Sequence, residues 1–224
     1  MATIAENVAS LMERIRRMEK RSGRGESSVR LLAATKMVAP ERIREAIAAG
    51  IDLVGENRVQ EAESKRGAIS KQVEFHMIGH LQGNKARRAV TLFDCIESID
   101  SLDLARKVAA EKARAGGTMR VMLELNLGGE DSKSGFEEDD LRAHFEKIRQ
   151  LEGLTVKGLM ALPPYVEPEE ARPYFQRLRR LGEELFGRES FELSMGMSHD
   201  FEVAVEEGAT IVRIGTAIFG ERHY

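Results

Sequence analysis

The sequence predicts a single (β/α)8 TIM barrel, and three observations carry that prediction. Short apolar strand candidates alternate with amphipathic helices, the alternation repeats eight times, and it fills all 224 residues without a linker. Alternation of this kind specifies a parallel sheet, and eight repeats suit a closed barrel better than an open doubly wound sheet. No strand candidate runs into a Gly-x-Gly-x-x-Gly turn, which weighs against the dinucleotide-binding alternative. The length is a little under the ~250 residues typical of such barrels and is ample for one core. Residues 1–224 are therefore expected to form one domain.

The elements follow in order. Residues 3–20 add an N-terminal helix, because Ile4, Val8, Leu11, Met12, Ile15 and Met18 recur at helical spacing among charged positions. After Ser22-Gly23-Arg24-Gly25, residues 29–36 read Val-Arg-Leu-Leu-Ala-Ala-Thr-Lys, a compact first strand. The next helix has Pro40 in its first turn and Gly50 just past its end, the expected asymmetry. Further strands are expected at 51–54, 74–78, 93–97, 119–126, 154–160, 191–194 and 210–214. Helices are expected at 57–70, 83–91, 101–115, 137–150, 168–186 and 198–207.

Composition narrows the function. The chain is 42% hydrophobic and 32% charged, with a net charge of -3. That near-balance predicts neither a nucleic-acid nor an anionic-membrane partner. Arg14-Ile15-Arg16-Arg17 and Lys85-Ala86-Arg87-Arg88 are basic clusters that read as solvated helix faces. Cys95 is the single cysteine, and its apolar surroundings predict a buried, inert thiol. Charges at Glu6, Glu13, Arg14 and Arg16 break up any signal peptide, and no stretch approaches the ~20 apolar residues of a membrane span. The expected location is the reducing cytoplasm.

Barrel chemistry sits at the C-terminal ends of the strands, with phosphate sites often after strands seven and eight. Here strand one ends in Thr35-Lys36, strand seven runs into Ser194-Met195-Gly196-Met197-Ser198, and strand eight carries Arg213 and ends in Gly215-Thr216. In a closed barrel strand eight neighbours strand one, so a lysine, an arginine and two glycine- and hydroxyl-containing turns converge. Gly196 and Gly215 allow close backbone approach, while Ser198 and Thr216 offer hydroxyls. Two cations at one mouth call for an anion, and a phosphorylated ligand provides one. Each residue taken singly also has a structural reading. Lys36 snorkels to water, Ser198 caps a helix, and Arg213 pairs with a carboxylate.

Other motifs carry less. His76 and His80 are four apart, but a strand-like segment and Gly79 separate them too far for easy chelation. Gly128 to Ser134 lacks the second glycine of a phosphate loop and reads as a flexible loop over the mouth. Asp139 and Asp140 suit the start of a helix.

These residues resemble the pyridoxal phosphate homeostasis proteins, relatives of the barrel domain of alanine racemase. The likeness rests on Ala33-Ala34-Thr35-Lys36, the segments 55–61 (GENRVQE) and 75–85 (FHMIGHLQGNK), and Ser132-Lys133-Ser134-Gly135. It continues through Gly158-Leu159-Met160, Ser194 to Ser198 and Arg213-Ile214-Gly215-Thr216, in order along nearly the whole chain. The resemblance implies pyridoxal 5'-phosphate held as an aldimine on Lys36. It implies phosphate binding by Ser198, Gly215 and Thr216 with the Met197 backbone, Arg213 facing the pyridine nitrogen, and Asn57 near the ring. His80 and Lys133 receive no role.

A cation beside the pyridine nitrogen disfavours its protonation and makes a poorer electron sink. Racemisation also needs acid/base groups on both faces of the α-carbon. The related racemase completes that machinery with a second domain and a partner subunit. This sequence ends at Tyr224, and Tyr165, Tyr174 and Tyr224 lie in no matching motif. The expected function is therefore cofactor homeostasis: a monomeric carrier or buffer without obligatory turnover, possible partners being apo forms of cofactor-dependent enzymes. The alternatives are a racemase-like enzyme using the same cofactor and a phosphosugar-type barrel enzyme without it.

Overall fold

The structure, a computed structural model, describes residues 2–67, 69, 72–129 and 134–220. Ser132, Lys133 and Tyr224, with residues 130–133 of the expected mouth loop, lie outside them.

Eight parallel strands close in chain order: β1 (Arg30–Ala34), β2 (Leu53–Glu56), β3 (Glu74–Met77), β4 (Cys95–Ile99), β5 (Met119–Leu125), β6 (Leu154–Ala161), β7 (Glu192–Ser194) and β8 (Ile211–Ile214). The chain is a TIM barrel. β8 pairs back onto β1 with Leu32 opposite Arg213 and Ala33 opposite Ile214. Helices α2 (Pro40–Ala48), α3 (Val59–Arg66), α4 (Ala86–Leu92), α5 (Leu102–Ala115), α6 (Glu138–Arg149), α7 (Pro168–Phe186), α8 (Phe201–Glu206) and α9 (Thr216–Phe219) follow the strands.

The extra helix α1 (Ile4–Arg21) starts with a Thr3–Glu6 capping box, satisfying two backbone donors reciprocally. Its apolar stripe packs against α2, α8 and α9, across the seam where the last strand meets the first. Asn7 Nδ2 donates to the Ile218 carbonyl at 3.0 Å, and Arg24 Nη1 to the Ala209 carbonyl at 2.7 Å. In the Arg14–Arg17 cluster only Arg17 is exposed, beside Glu13; Arg14 and Arg16 are half-buried, Arg14 pairing with Glu202 and Arg16 with the buried Glu19.

Strand alternation divides the core in two. The larger cluster lies between sheet and helices; the smaller, inside the barrel, contains Leu32, Leu53, Ile78, Cys95, Met122, Met160 and Ile211. Each buried side chain of this size contributes about 1.5–3 kcal/mol through removal from water. Below the small cluster, Arg30, Glu74 and Glu192, the first residues of β1, β3 and β7, and Arg120, the second of β5, form a charged floor. Arg30 reaches Glu74 at 3.1 Å, Arg120 reaches Glu74 at 3.0 Å, and Glu192 lies 3.9 Å from Arg120.

Several boundaries differ from the sequence reading. β1 ends at Ala34, so Lys36 lies in the turn beyond it, although Thr35 still donates its N–H to the Gly55 carbonyl at 2.9 Å. The expected helix at 198–207 begins only at Phe201. The one expected at 57–70 shortens to Val59–Arg66.

Candidate functional site

The site is built from strand ends. On β1, Leu32 belongs to the interior cluster and Ala34 packs on it, and Lys36 follows two residues beyond the strand's C-terminal end. Lys36 is half-buried. β8 lies alongside and brings Arg213, which is 4% exposed, to the neighbouring wall. Gly215 follows it so closely against β1 that a Cβ there would sit 3.3 Å from the Ala34 carbonyl oxygen.

Two loops then meet. Ala217 N–H points at Ser198 Oγ across 3.4 Å, joining the turn after β7 to the turn after β8. Ser198 is not the cap of α8; that position is Asp200, whose Oδ1 accepts from Met197 N–H at 2.6 Å. The structural reading of Ser198 is thereby set aside. Gly196 has φ +90°, and a Cβ would stand 2.6 Å from the Ala204 Cβ. The backbone N–H groups of Ser198, Gly215 and Thr216 donate to no acceptor among the described residues. A cradle of free amides, two hydroxyls and close-approaching glycine backbone fits a phosphate group.

Among the described residues Arg213 makes no direct contact with a carboxylate. Nη1 donates to Ser194 Oγ at 2.6 Å and Nη2 to the Ala161 carbonyl at 2.8 Å. Ser194 Oγ in turn donates to Glu97 at 2.5 Å, and Glu97 lies 2.6 Å from His76 Nδ1. His76 Nε2 reaches Glu74 at 3.3 Å, joining this column to the charged floor. Burial pulls the Arg213 guanidinium below its ordinary value, opposed by Glu97 and Glu124. Burial pushes Glu97 upward, but His76, Arg213 and Ser194 together outweigh it and hold the carboxyl below its usual range.

Glu124 ends the interior face of β5, the strand opposite β1 in the ring. It is 5% exposed, and its carboxylate oxygens lie 3.4 Å from Ser134 Oγ. Burial, reinforced by Asp100, pushes it up to about 7. His80 pairs with Asp100 at 2.9 Å on the rim, while His76 is engaged with Glu97, so the two histidines face different partners. Asn57 is half-buried at the end of β2, with Gly79 packed so tightly that a Cβ would meet the Asn57 carbonyl oxygen at 2.5 Å. Cys95 is fully buried in the interior, and burial raises its thiol far above the ordinary value.

Lys36, Arg213, Ser198, Met197, Gly215 and Thr216 therefore share the mouth on β1, β7 and β8, and Asn57 joins them from the neighbouring β2. Sequence reasoning missed Glu56, Glu97, Glu124 and Ser194 as polar groups buried in the strands. Their signal was a polar residue inside a short apolar strand, at interior parity for the last three, although β4, β5 and β7 each carry a second polar residue (Ser98, Arg120 and Glu192).

The fold and this mouth define a barrel of the alanine racemase N-terminal type, whose family model, described as "Alanine racemase, N-terminal domain", matches residues 7–223. Within that family the chain belongs to the pyridoxal phosphate homeostasis proteins. One such protein from Aquifex aeolicus is 46% identical, with 98% of each chain covered. The structure of PipY from Synechococcus elongatus PCC7942, with PLP bound, superposes with a TM-score of 0.86 at 38% identity, covering 97% of this chain and 100% of that one. An alanine racemase from Clostridium difficile 630 shares the fold, with a TM-score of 0.74 at 13% identity. It covers 97% of this chain and only 60% of its own. Among the described residues no helix is long and apolar enough to cross a membrane.

Proposed function

We propose that this protein binds pyridoxal 5'-phosphate at the barrel mouth and serves cofactor homeostasis, as a carrier or buffer without obligatory turnover. The observation that carries the reading is the pair of joined turns at Ser198 and Ala217, with unengaged amides beside the Lys36 strand. PLP bound in PipY and the homeostasis names of full-length relatives support the same choice of ligand.

Ser198, Gly215 and Thr216 would hold the phosphate, Arg213 the neighbourhood of the pyridine nitrogen, and Asn57 one side of the ring; the Met197 backbone, expected to help, already has its N–H on Asp200 Oδ1. When bound, the cofactor supplies an aldehyde able to condense with the Lys36 amine, with loss of water, and an electron-withdrawing ring. Arg213, held by Ser194, would supply a cation near the pyridine nitrogen and so disfavour its protonation. This weakens carbanion chemistry and suits retention. In this reading residues 1–224 are one domain acting as a cytoplasmic monomer, with apo-enzymes as recipients.

Glu124 favours a second reading. A carboxyl pushed to about 7, on the strand opposite Lys36, is a candidate for the acid/base group that the tyrosines fail to provide. Two measurements separate the readings. Borohydride reduction with peptide mapping should place a pyridoxyl adduct on Lys36; an unlabelled Lys36 refutes covalent binding. Solvent-deuterium exchange at the α-carbon of L- and D-alanine should be negligible for a carrier, whereas turnover lost in both Lys36→Ala and Glu124→Gln establishes the racemase-like alternative.

A further inference from the structure

We infer that Lys65, through Glu56 and Glu61, is the positioning residue for Lys36, gripping the backbone on both sides of it. The inference deepens the proposed covalent role of Lys36 and rests on that reading.

The need for such a device follows from where β1 stops. Strand geometry dictates side-chain direction only while the strand lasts, and β1 ends two residues before Lys36. The residue after it, Met37, has φ +60°, a left-handed conformation disfavoured for a non-glycine residue. A lysine on a turn of this kind needs an external hold to keep one direction.

Lys65 is only 5% exposed, although it belongs to α3 and not to a strand. Its Nζ donates to the Thr35 carbonyl at 2.7 Å, to Glu56 Oε1 at 2.7 Å and to Glu61 Oε1 at 2.6 Å. All three ammonium protons are thus engaged. The same Glu61 oxygen accepts Met37 N–H at 2.5 Å, and the same Glu56 oxygen accepts Thr35 Oγ1–H at 2.7 Å. One buried ammonium therefore holds the carbonyl before Lys36 directly and the amide after it through one carboxylate. The Thr35 side chain is drawn toward β2, where its Oγ1 also lies 3.1 Å from the Gly55 carbonyl. With Thr35 turned to that side, Lys36 is left to the mouth.

The chemistry favours positioning over mere stability. A buried ion pair stabilises a fold little, because desolvation offsets the attraction, and its best-attested use is to specify one arrangement. A misplacement of about 1 Å in a reacting group can slow a reaction on the order of a hundredfold.

The test compares Glu61→Ala, Glu61→Gln and the paired Glu56→Gln/Lys65→Met, which removes the ion pair without leaving an unpaired buried charge. The full chain is treated with pyridoxal phosphate and cyanoborohydride, and labelling of Lys36 is read against exposed lysines such as Lys147 in the same sample. Relative labelling of Lys36 should fall about tenfold in Glu61→Ala and in the paired variant, and be largely restored in Glu61→Gln, which keeps an acceptor for Met37 N–H. Wild-type relative labelling in folded variants overturns the inference. Hydrogen exchange of the Met37 amide supplies a second readout without ligand. It should quicken about tenfold in Glu61→Ala, and unchanged exchange also overturns the inference. If wild-type Lys36 takes no label while the Met37 amide behaves as expected, covalent binding fails and the backbone clamp stands.

Discussion

Arg213 and Glu97 are joined through one hydroxyl: Ser194 Oγ lies 2.6 Å from the guanidinium and 2.5 Å from the carboxylate. All three side chains are buried, so each depends on the others for its polar partners. Ser194→Ala removes the shared group and leaves Arg213 Nη1 and one Glu97 oxygen without a partner. The expected loss is about 2–4 kcal/mol in urea denaturation. A variant as stable as wild type would show that Arg213 finds another acceptor.

His76 sets an alkaline limit on stability. Burial opposes its charged form, but hydrogen bonds and charges from Glu74 and Glu97 outweigh burial and raise its pKa. A raised imidazole contributes stability that is complete below its unfolded pKa and is lost as pH rises through the folded value. Glu97 and Glu74 have the opposite sign: held low, they contribute above the unfolded carboxylate pKa and lose that contribution as pH falls. Melting temperature should therefore peak in weak acid and decline above about pH 6.5. His76→Gln should flatten the decline above that pH. An unchanged slope would assign it elsewhere.

Glu124 acts over a different window. Its pKa of about 7 in the folded chain means that folding favours the neutral carboxyl. Wild type then loses stability as pH rises from the ordinary carboxylate value to about 7. Glu124→Gln removes that loss and should be more stable than wild type by about 1–3 kcal/mol at pH 8. The difference should close below about pH 5. Denaturation at the two pH values measures it, and equal gaps at both would refute the titration.

The barrel was legible because its signal is repetition: eight apolar runs separated by helical spacing survive errors of a few residues at each boundary. The Lys36, Ser198 and Arg213 cluster was legible because barrel topology brings β8 beside β1. The supporting groups were not. Lys65 sits on a helix thirty positions from Thr35 in the chain, and its contact with the Thr35 carbonyl exists only in the closed fold. Glu97 meets Ser194 across ninety-seven positions. Local spacing cannot display such pairs, and a lone acid in an apolar strand does not reveal its partner. For Ser198 the sequence offers a phosphate ligand and, as the structural alternative, a helix cap; the helix starts later and the hydroxyl faces the other turn, so only the cap falls away.

Gly196 tests whether the phosphate cradle depends on backbone shape. Its φ of +90° is unfavourable for any side chain, and a Cβ would also lie 2.6 Å from the Ala204 Cβ and 3.0 Å from the Phe201 Cα. Gly196→Ala therefore combines torsional strain with crowding against α8, at an expected cost of about 2–4 kcal/mol. Gly187 is the matched control: its φ is +60°, but a Cβ there meets nothing within 4 Å. Gly187→Ala carries the torsional part alone, about 1 kcal/mol. If the turn after β7 holds phosphate, Gly196→Ala should weaken pyridoxal phosphate binding at least tenfold by fluorescence titration, while Gly187→Ala binds as wild type. Equal affinities in the two folded variants would remove this turn from the site, because only Gly196 lies against it.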